Sequence, residues 1–148
     1  MPSVMWFRRD LRTLDQPALM AAIADGPVVP VFVIDPRLWG TSGDVRLAYL
    51  SASLRSLNES LGGHLVIRHG DPTEVIPTLA AETGATSVHV SADFAPYGMQ
   101  RDAGVEAALG SVPLVRTGSP YAVAPGRVTK DDGTAYRVYT PFWRAWER

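Results

Sequence analysis

The sequence predicts an α/β fold, a Rossmann-like doubly wound sheet of five parallel strands with helices on both faces. Short apolar runs alternate with helical patterns four times along the chain, which is typical of parallel strands joined by right-handed crossovers. The run from Val28 to Ile34 is almost continuous in apolar residues, as expected for a strand covered on both faces. With 148 residues, 46% of them hydrophobic and 20% charged, the chain has the size and composition of one globular domain.

The predicted strands are five apolar runs bounded by turn residues. They cover residues 3–7, 28–34, 65–68, 87–90 and 112–115. Parallel strands end at one edge of the sheet, and doubly wound folds bind their ligands outside that edge. We therefore expect functional residues in the segments that follow the strands, which are residues 8–14, 35–46 and 92–101.

Two helices are predicted from caps and leucine spacing in the first half of the chain. Asp15 is a candidate cap for the first, which has Pro17 in its first turn and stops near Gly26. The second carries a one-sided leucine stripe and ends at Gly62-Gly63. The stripe consists of Leu47, Leu50, Leu54, Leu57 and Leu61.

Two further helices are predicted in the second half. Asp71 stands at the cap of the third, with Pro72 at the first helical position and Glu74 at the capping-box spacing. A fourth helix is predicted over residues 100–109. Each of the first four strands is thus followed by a helix.

The alternation stops near residue 117, which we take as the end of the α/β domain. Residues 118–148 contain several Pro and Gly residues and predict an extended connector with a short helix near its end. Thr140 is the expected cap of that helix, whose surface carries Phe142, Trp143 and Trp146. Because an aromatic surface on a short helix needs something to pack against, we expect the connector to lead toward a further domain absent from this chain.

The composition excludes several functional classes. A formal net charge of −1 does not support a domain that grips nucleic acid by itself. The absence of cysteine excludes disulfides, thiolate metal sites and cysteine nucleophiles. Neither a signal peptide nor an apolar run of about 20 residues is present, so we expect a cytoplasmic protein with no membrane partner.

Common nucleotide and catalytic signatures are absent from the sequence. Neither G-x-G-x-x-G nor G-x-x-x-x-G-K-[ST] occurs, and no Ser-His-Asp triad can be assigned. His64, His69 and His89 lie in or beside strands without the i, i+4 spacing of a helical metal site. We therefore predict no metal ligand in this chain.

The first strand leads into Arg8-Arg9-Asp10-Leu11-Arg12, which is either a solvated loop or a binding or interface segment. With Trp6-Phe7 before it and Asp15 and Pro17-Ala18-Leu19 after it, this stretch resembles the opening signature of the DNA photolyase and cryptochrome family. The resemblance runs in order through the whole chain. Its further parts are residues 31–36, Arg46 with Leu50, 53–54, 70–72, 96–97, 101–102 and 136–142. Gln16 departs from the pattern, since the family usually has Asn there.

The resemblance implies the N-terminal domain of a deoxyribodipyrimidine photolyase, a carbon–carbon lyase that repairs UV-induced pyrimidine dimers by light-driven electron transfer from FAD. In that family the α/β domain often carries an antenna chromophore, and a separate domain binds FAD and damaged DNA. This chain would then harvest light without being catalytic. Two alternatives stay open: the N-terminal domain of a cryptochrome photoreceptor, and an independent mononucleotide-binding module, against which the missing phosphate loop argues.

The resemblance also bears on the kind of antenna. Members that bind folate have a His and an Asn-Glu pair at the positions of Thr41, Tyr97 and Gly98 in this sequence. None of these three side chains can replace the carboxylate that binds the N–H groups of a pterin. The resemblance therefore does not support folate.

Residues 93–98 are instead similar to the deazaflavin type, in which an acid at the Asp93 position and an arginine at the Arg46 position line the pocket. We therefore predict that Asp35, Arg46, Asp93 and Tyr97 face an 8-hydroxy-5-deazaflavin. FMN, FAD or an empty pocket are the alternatives. FAD for the reaction itself would be bound by the missing domain.

Overall fold

The computed structural model describes residues 1–147, in which five parallel strands form one sheet. The strands are β1 (Ser3–Phe7), β2 (Val28–Ile34), β3 (Val66–His69), β4 (Val88–Val90) and β5 (Leu114–Arg116). The helices are α1 (Pro17–Asp25), α2 (Pro36–Trp39), α3 (Asp44–Ser60), α4 (Pro72–Thr83), α5 (Pro96–Leu109) and α6 (Tyr139–Trp146). The predicted fold class, a doubly wound parallel sheet with helices on both faces, is confirmed.

Alternating side chains of the strands build one hydrophobic core on each face of the sheet. In β1, Val4 and Trp6 lie in the core that α4 and α5 cover, whereas Met5 and Phe7 lie in the core that α1 and α3 cover. Leu57 is the buried member of the α3 leucine stripe. The two-sided burial explains why β1 and β2 are apolar almost throughout.

The strand order is β3-β2-β1-β4-β5, so the chain moves outward from β1 in both directions. The order therefore reverses between β1 and β4, whose Val4 and Met5 pair with Val88 and His89. A crevice forms outside the carboxyl ends of the strands at such a point. The loops after β1, β2 and β4 border it.

Several predicted boundaries shift because local hydrogen bonds compete with the strand or helix pattern. Leu65 does not begin β3, since its amide donates to Asn58 Oδ1 at 3.0 Å. Val112 does not begin β5, since its amide donates to the Leu109 carbonyl at 3.2 Å and closes a turn after α5. The turns before β3 and β5 thus hold residues that the apolar pattern assigned to those strands.

The predicted cap of the first helix is wrong by one residue. Asp15 adopts a positive φ of 50°, and Gln16 is the extended residue that caps α1 by accepting from the Ala18 amide at 3.3 Å. The cap of α4 is as predicted, with Asp71 accepting from the Thr73 amide at 2.9 Å.

Two helices begin earlier than expected, and one short helix was not predicted. α5 begins at Pro96 because the Met99 amide donates to the Ala95 carbonyl at 2.9 Å. α6 begins at Tyr139, with Val138 rather than Thr140 as its cap. The helix α2 has only four residues, too few for a periodic pattern.

No regular helix or strand is assigned between Thr117 and Val138, apart from an isolated bridge that joins Thr129 to Ala135. The division of the chain at residue 117 stays a prediction. None of the helices within residues 1–147 has both the length and the apolar character that crossing a bilayer requires.

Candidate functional site

A cavity of about 380 Å³ lies at the carboxyl ends of β1, β2 and β4. Four residues predicted as a site, from the segments 35–46 and 92–101, line it together: Asp35, Arg46, Asp93 and Tyr97. Apolar side chains, among them Phe32, Leu38 and Pro72, complete the wall. The cavity therefore combines an apolar surface with a few polar groups, as small-molecule sites do.

Asp35 and Tyr97 form the hydrogen-bonded pair on one side of the cavity. Asp35 follows β2, is buried, and caps α2 by accepting from the Arg37 amide at 2.9 Å. Its second oxygen accepts a hydrogen bond from the Tyr97 hydroxyl. Burial and the neighbouring Asp35 carboxylate raise the pKa of Tyr97 above its usual value, so the phenol is a neutral donor at physiological pH.

Asp93 follows β4 and lies against the first turn of α5. One carboxylate oxygen accepts from the Ala95 amide at 3.0 Å, and the other accepts from Arg101 Nη2 at 3.3 Å. Arg9 Nη1 lies 3.7 Å from the same carboxylate. Asp93 thus shapes its turn and also presents an anion to the cavity, and its position there is set by neighbours on both sides.

Arg46 reaches the cavity from the first turn of α3. Arg46 is exposed, and it also borders a smaller apolar pocket of about 100 Å³ next to Trp39, Leu47 and Leu50. Because this pocket also shares Asp35 with the main cavity, the two adjoin. Arg46 is therefore a cation at the mouth of the cavity.

A second set of ion pairs lies under the cavity and was not predicted. Arg8 and Arg101 both donate to Asp102 Oδ1, with Arg101 Nε at 3.0 Å and Nη2 at 2.9 Å. Their guanidinium carbons lie 4.8 Å and 5.1 Å from the centre of the Trp6 ring. The two cations thus hold an indole that forms part of the cavity wall.

The charged loop after β1 resolves into buried and exposed parts. Burial and the nearby Arg101 lower the pKa of Arg8, Asp102 opposes this shift, and the guanidinium stays protonated. Asp10 is also buried and accepts hydrogen bonds from Gln16 and Ser91. Alternate residues of the loop, Arg8 and Asp10, therefore support the wall of the crevice. The charge pattern alone does not distinguish this arrangement from a solvated loop.

The exposed part of that loop includes Arg9 and Arg12. Arg9 lines the cavity, and its guanidinium carbon lies 5.9 Å from the centre of the Tyr121 ring. Arg12 donates to the Asp15 carbonyl at 2.8 Å. No local pattern identified the buried network, since adjacent opposite charges on a helix, such as Arg101-Asp102, are usually exposed.

The remaining sequence candidates lie elsewhere. Thr41 is exposed, donates to carbonyls of its own segment, and does not line the 380 Å³ cavity. His64 and His69 are exposed, whereas His89 is buried with its Nε2 2.9 Å from Asp25 Oδ2. Among residues 1–147, no group of three or more acidic, His or Cys side chains is arranged to hold a metal ion.

Known proteins resemble this chain over almost its whole length. The DNA photolyase family model matches residues 3–148. The deoxyribodipyrimidine photo-lyase of Agrobacterium fabrum is 40% identical over 152 residues, which cover 99% of this chain and 32% of that protein. The curated relatives are longer, and this chain spans about a third to a half of their length.

Solved structures show the same relationship. The crystal structure of a class III photolyase from Agrobacterium tumefaciens has a TM-score of 0.88 and 35% identity, covering 99% of this chain and 31% of that one. A cryptochrome from Synechocystis has a TM-score of 0.73 and 25% identity over 78% of this chain and 26% of that one. The sequence, the sheet order and these likenesses lead to one conclusion: the chain belongs to the DNA photolyase family and forms its N-terminal α/β domain.

Proposed function

We propose that this chain is the antenna domain of a deoxyribodipyrimidine photolyase, which binds a light-absorbing chromophore in the 380 Å³ cavity. The observation that carries the proposal is the convergence of Asp35, Arg46, Asp93 and Tyr97. The resemblance alone nominated these residues, and they meet at the edge of the sheet where doubly wound folds bind ligands. The chromophore would absorb light and pass its excitation to a second cofactor.

The chemistry of the wall supports a flat heterocycle with N–H donors, and we propose 8-hydroxy-5-deazaflavin. The Asp35 and Asp93 carboxylates accept hydrogen bonds, and Arg46 suits an anionic oxygen or a phosphate tail. Apolar side chains such as Phe32 and Leu38 suit the faces of fused rings. FMN and FAD share these ring features and are the next candidates.

Folate is the weaker candidate because the cavity has Tyr97 and Gly98 where a folate site would need an amide and an acid. The Tyr97 hydroxyl is already committed to Asp35, and Gly98 offers no side chain at all. Thr41 lies outside the cavity wall. The acids that are present stand at other positions, after β2 and β4.

For the whole protein we propose light-driven repair of pyrimidine dimers, with FAD and damaged DNA bound by a domain beyond this chain. The lengths of the relatives support such a domain, since this chain covers 32% of the Agrobacterium fabrum enzyme. On α6, Trp143 and Trp146 are 38% and 48% exposed and offer an aromatic surface for it. The predicted cytoplasmic location stays a prediction.

A photoreceptor role is the second candidate, because the Synechocystis cryptochrome shares the fold. An N-terminal domain of this kind serves both classes, so the choice depends on the rest of the protein. Repair of a thymine dimer in an oligonucleotide by the full-length protein under blue light would support the photolyase. Light-induced change of the flavin without any repair would support the photoreceptor.

The antenna proposal is tested by comparing chromophores on this chain. Absorption and fluorescence titrations with 8-hydroxy-5-deazaflavin, FMN and 5,10-methenyltetrahydrofolate give one affinity for each. The proposal expects saturable one-to-one binding that is tightest for the deazaflavin and is lost in the double variant Asp35→Ala/Asp93→Ala. Tightest binding of the folate would contradict the chromophore assignment, and binding of none would contradict the antenna function of this chain.

A further inference from the structure

Gly98 lies in the first turn of α5 and is buried directly against Asp93. A Cβ atom at this position would be 2.2 Å from both Cγ and Oδ2 of Asp93, and 2.8 Å from Oδ1. Real Cβ atoms essentially never approach other atoms closer than 3.0 Å. A side chain at position 98 and the Asp93 carboxylate therefore cannot occupy their present places together.

Moving the Asp93 side chain aside would cost free energy. Its side chain is short and only 7% exposed. Its hydrogen bonds to the Ala95 amide and to Arg101 fix both oxygens, and Arg9 lies beside it. Rotating the carboxylate away would leave a buried guanidinium with one partner fewer, which is a costly change in a low-dielectric site.

We propose that Gly98 is the specificity-determining residue of the cavity. Because it has no side chain, it keeps the acid of the cavity wall at Asp93, on the side of β4, and it excludes an acid or amide at position 98. The cavity then selects ring systems that direct an N–H group toward Asp93, as the pyrimidinedione of a deazaflavin or flavin can. This inference rests on the proposed chromophore-binding function and specifies how the ligand is chosen.

Gly104 provides a matched control on the same helix. A Cβ there would meet Thr73 Cγ2 at 3.0 Å, the methyl end of a side chain on α4, and Gly104 does not line the cavity. Both positions lie within α5, where alanine favours the helix more than glycine does. The two substitutions differ mainly in whether they meet Asp93.

The first arm of the test needs no ligand. Urea unfolding is measured for the unsubstituted chain, Gly98→Ala, Asp93→Ala, the double variant and Gly104→Ala. We expect a lower midpoint for Gly98→Ala, and no further decrease when Gly98→Ala is added to Asp93→Ala, because the clash partner is already gone. Folding of the double variant where Gly98→Ala alone fails to fold would give the same support, and additive effects of the two substitutions would overturn the inference.

The second arm measures 8-hydroxy-5-deazaflavin and FMN affinity by fluorescence on the same proteins. We expect Gly98→Ala to weaken binding by about tenfold or more, the loss expected when a charge-assisted hydrogen bond is removed. In the Asp93→Ala background the same substitution changes affinity by less than about threefold, within the usual error of additivity. Unchanged affinity in Gly98→Ala would overturn the specificity role.

The two arms separate this inference from the proposed function. If the unsubstituted chain binds neither chromophore, both the antenna function and the selection by Gly98 are contradicted, regardless of the unfolding result. If it binds and the affinity is insensitive to Gly98→Ala, only the selection falls. A non-additive unfolding result together with Asp93-dependent loss of affinity supports both.

Discussion

Arg8 and Asp102 form a buried ion pair although 94 positions separate them in the sequence. The pair joins the end of β1 to the middle of α5, and Arg101 shares the same carboxylate oxygen. The guanidinium carbons of both arginines lie within 5.1 Å of the centre of the Trp6 ring, which forms part of the cavity wall. The wall of the cavity is therefore positioned by charged side chains as well as by the sheet.

The ion-pair network predicts that Asp102 is important for stability. Asp102→Ala leaves two buried guanidinium groups without their shared partner, and we expect the free energy of unfolding to fall by about 3–5 kcal/mol. Urea unfolding followed by circular dichroism measures this. Glu106→Ala is the control and should change stability far less. It removes an exposed acid on the same helix as Asp102, and that acid pairs with Arg116 of β5. Equal effects of the two substitutions would contradict the account.

Gln16 is predicted to act as more than a surface turn residue. Its side chain accepts from the Ala18 amide at the cap of α1 and donates to Asp10 in the buried loop. We expect Gln16→Ala to lower the free energy of unfolding by about 1–2 kcal/mol, since a cap and a buried partner are both lost. Gln100→Ala, at an exposed position of α5, serves as the control. If Gln16→Ala lowers the free energy of unfolding no more than Gln100→Ala does, the contacts of Gln16 do not stabilise the fold.

The Tyr97–Asp35 hydrogen bond predicts a loss of stability at alkaline pH. The pKa of Tyr97 is raised by burial and by Asp35, so folding favours the neutral phenol. The resulting contribution is complete below about pH 10, the usual tyrosine value, and is lost as the pH rises through the raised pKa. Ultraviolet titration of phenolate should therefore show a late transition that Tyr97→Phe removes.

Tyr49 supplies the control for this titration, because it is 76% exposed on α3. In the Tyr49→Phe variant the late transition of Tyr97 should remain. A late transition that persists in Tyr97→Phe would mean that the hydrogen bond to Asp35 does not perturb Tyr97.

The elements of this fold that the sequence predicts well are those with a local cause. β1 and β2 are apolar on both faces, and their predicted bounds match those observed. The α4 cap at Asp71 follows from the Asp-Pro-Thr-Glu sequence and is observed. By contrast, the cap of α1 depends on a positive φ at Asp15 and on the contact of Gln16 with Asp10, six positions earlier, and neither follows from a capping pattern in the sequence.

The site residues also differ in whether the sequence could identify them. Asp35, Arg46, Asp93 and Tyr97 were nominated by resemblance, and the parallel sheet explains why the segments that hold them meet. The pairing of Arg8 with Asp102 and the packing of Gly98 on Asp93 depend on how α5 lies over the sheet. Contacts of that kind are set by tertiary packing and have no signature in local spacing.

The proposed chromophore site is the cavity at the carboxyl ends of β1, β2 and β4, and a variant series titrated with 8-hydroxy-5-deazaflavin tests this assignment. Fluorescence titration is made on the unsubstituted chain, Asp93→Ala and Arg46→Ala, with Arg55→Ala on the exposed side of α3 as the matched control. We predict a weakening of about tenfold or more for the first two variants, as expected for charged hydrogen-bonding partners, and unchanged affinity for Arg55→Ala. Equal affinity in all four proteins would place the chromophore elsewhere and contradict the account.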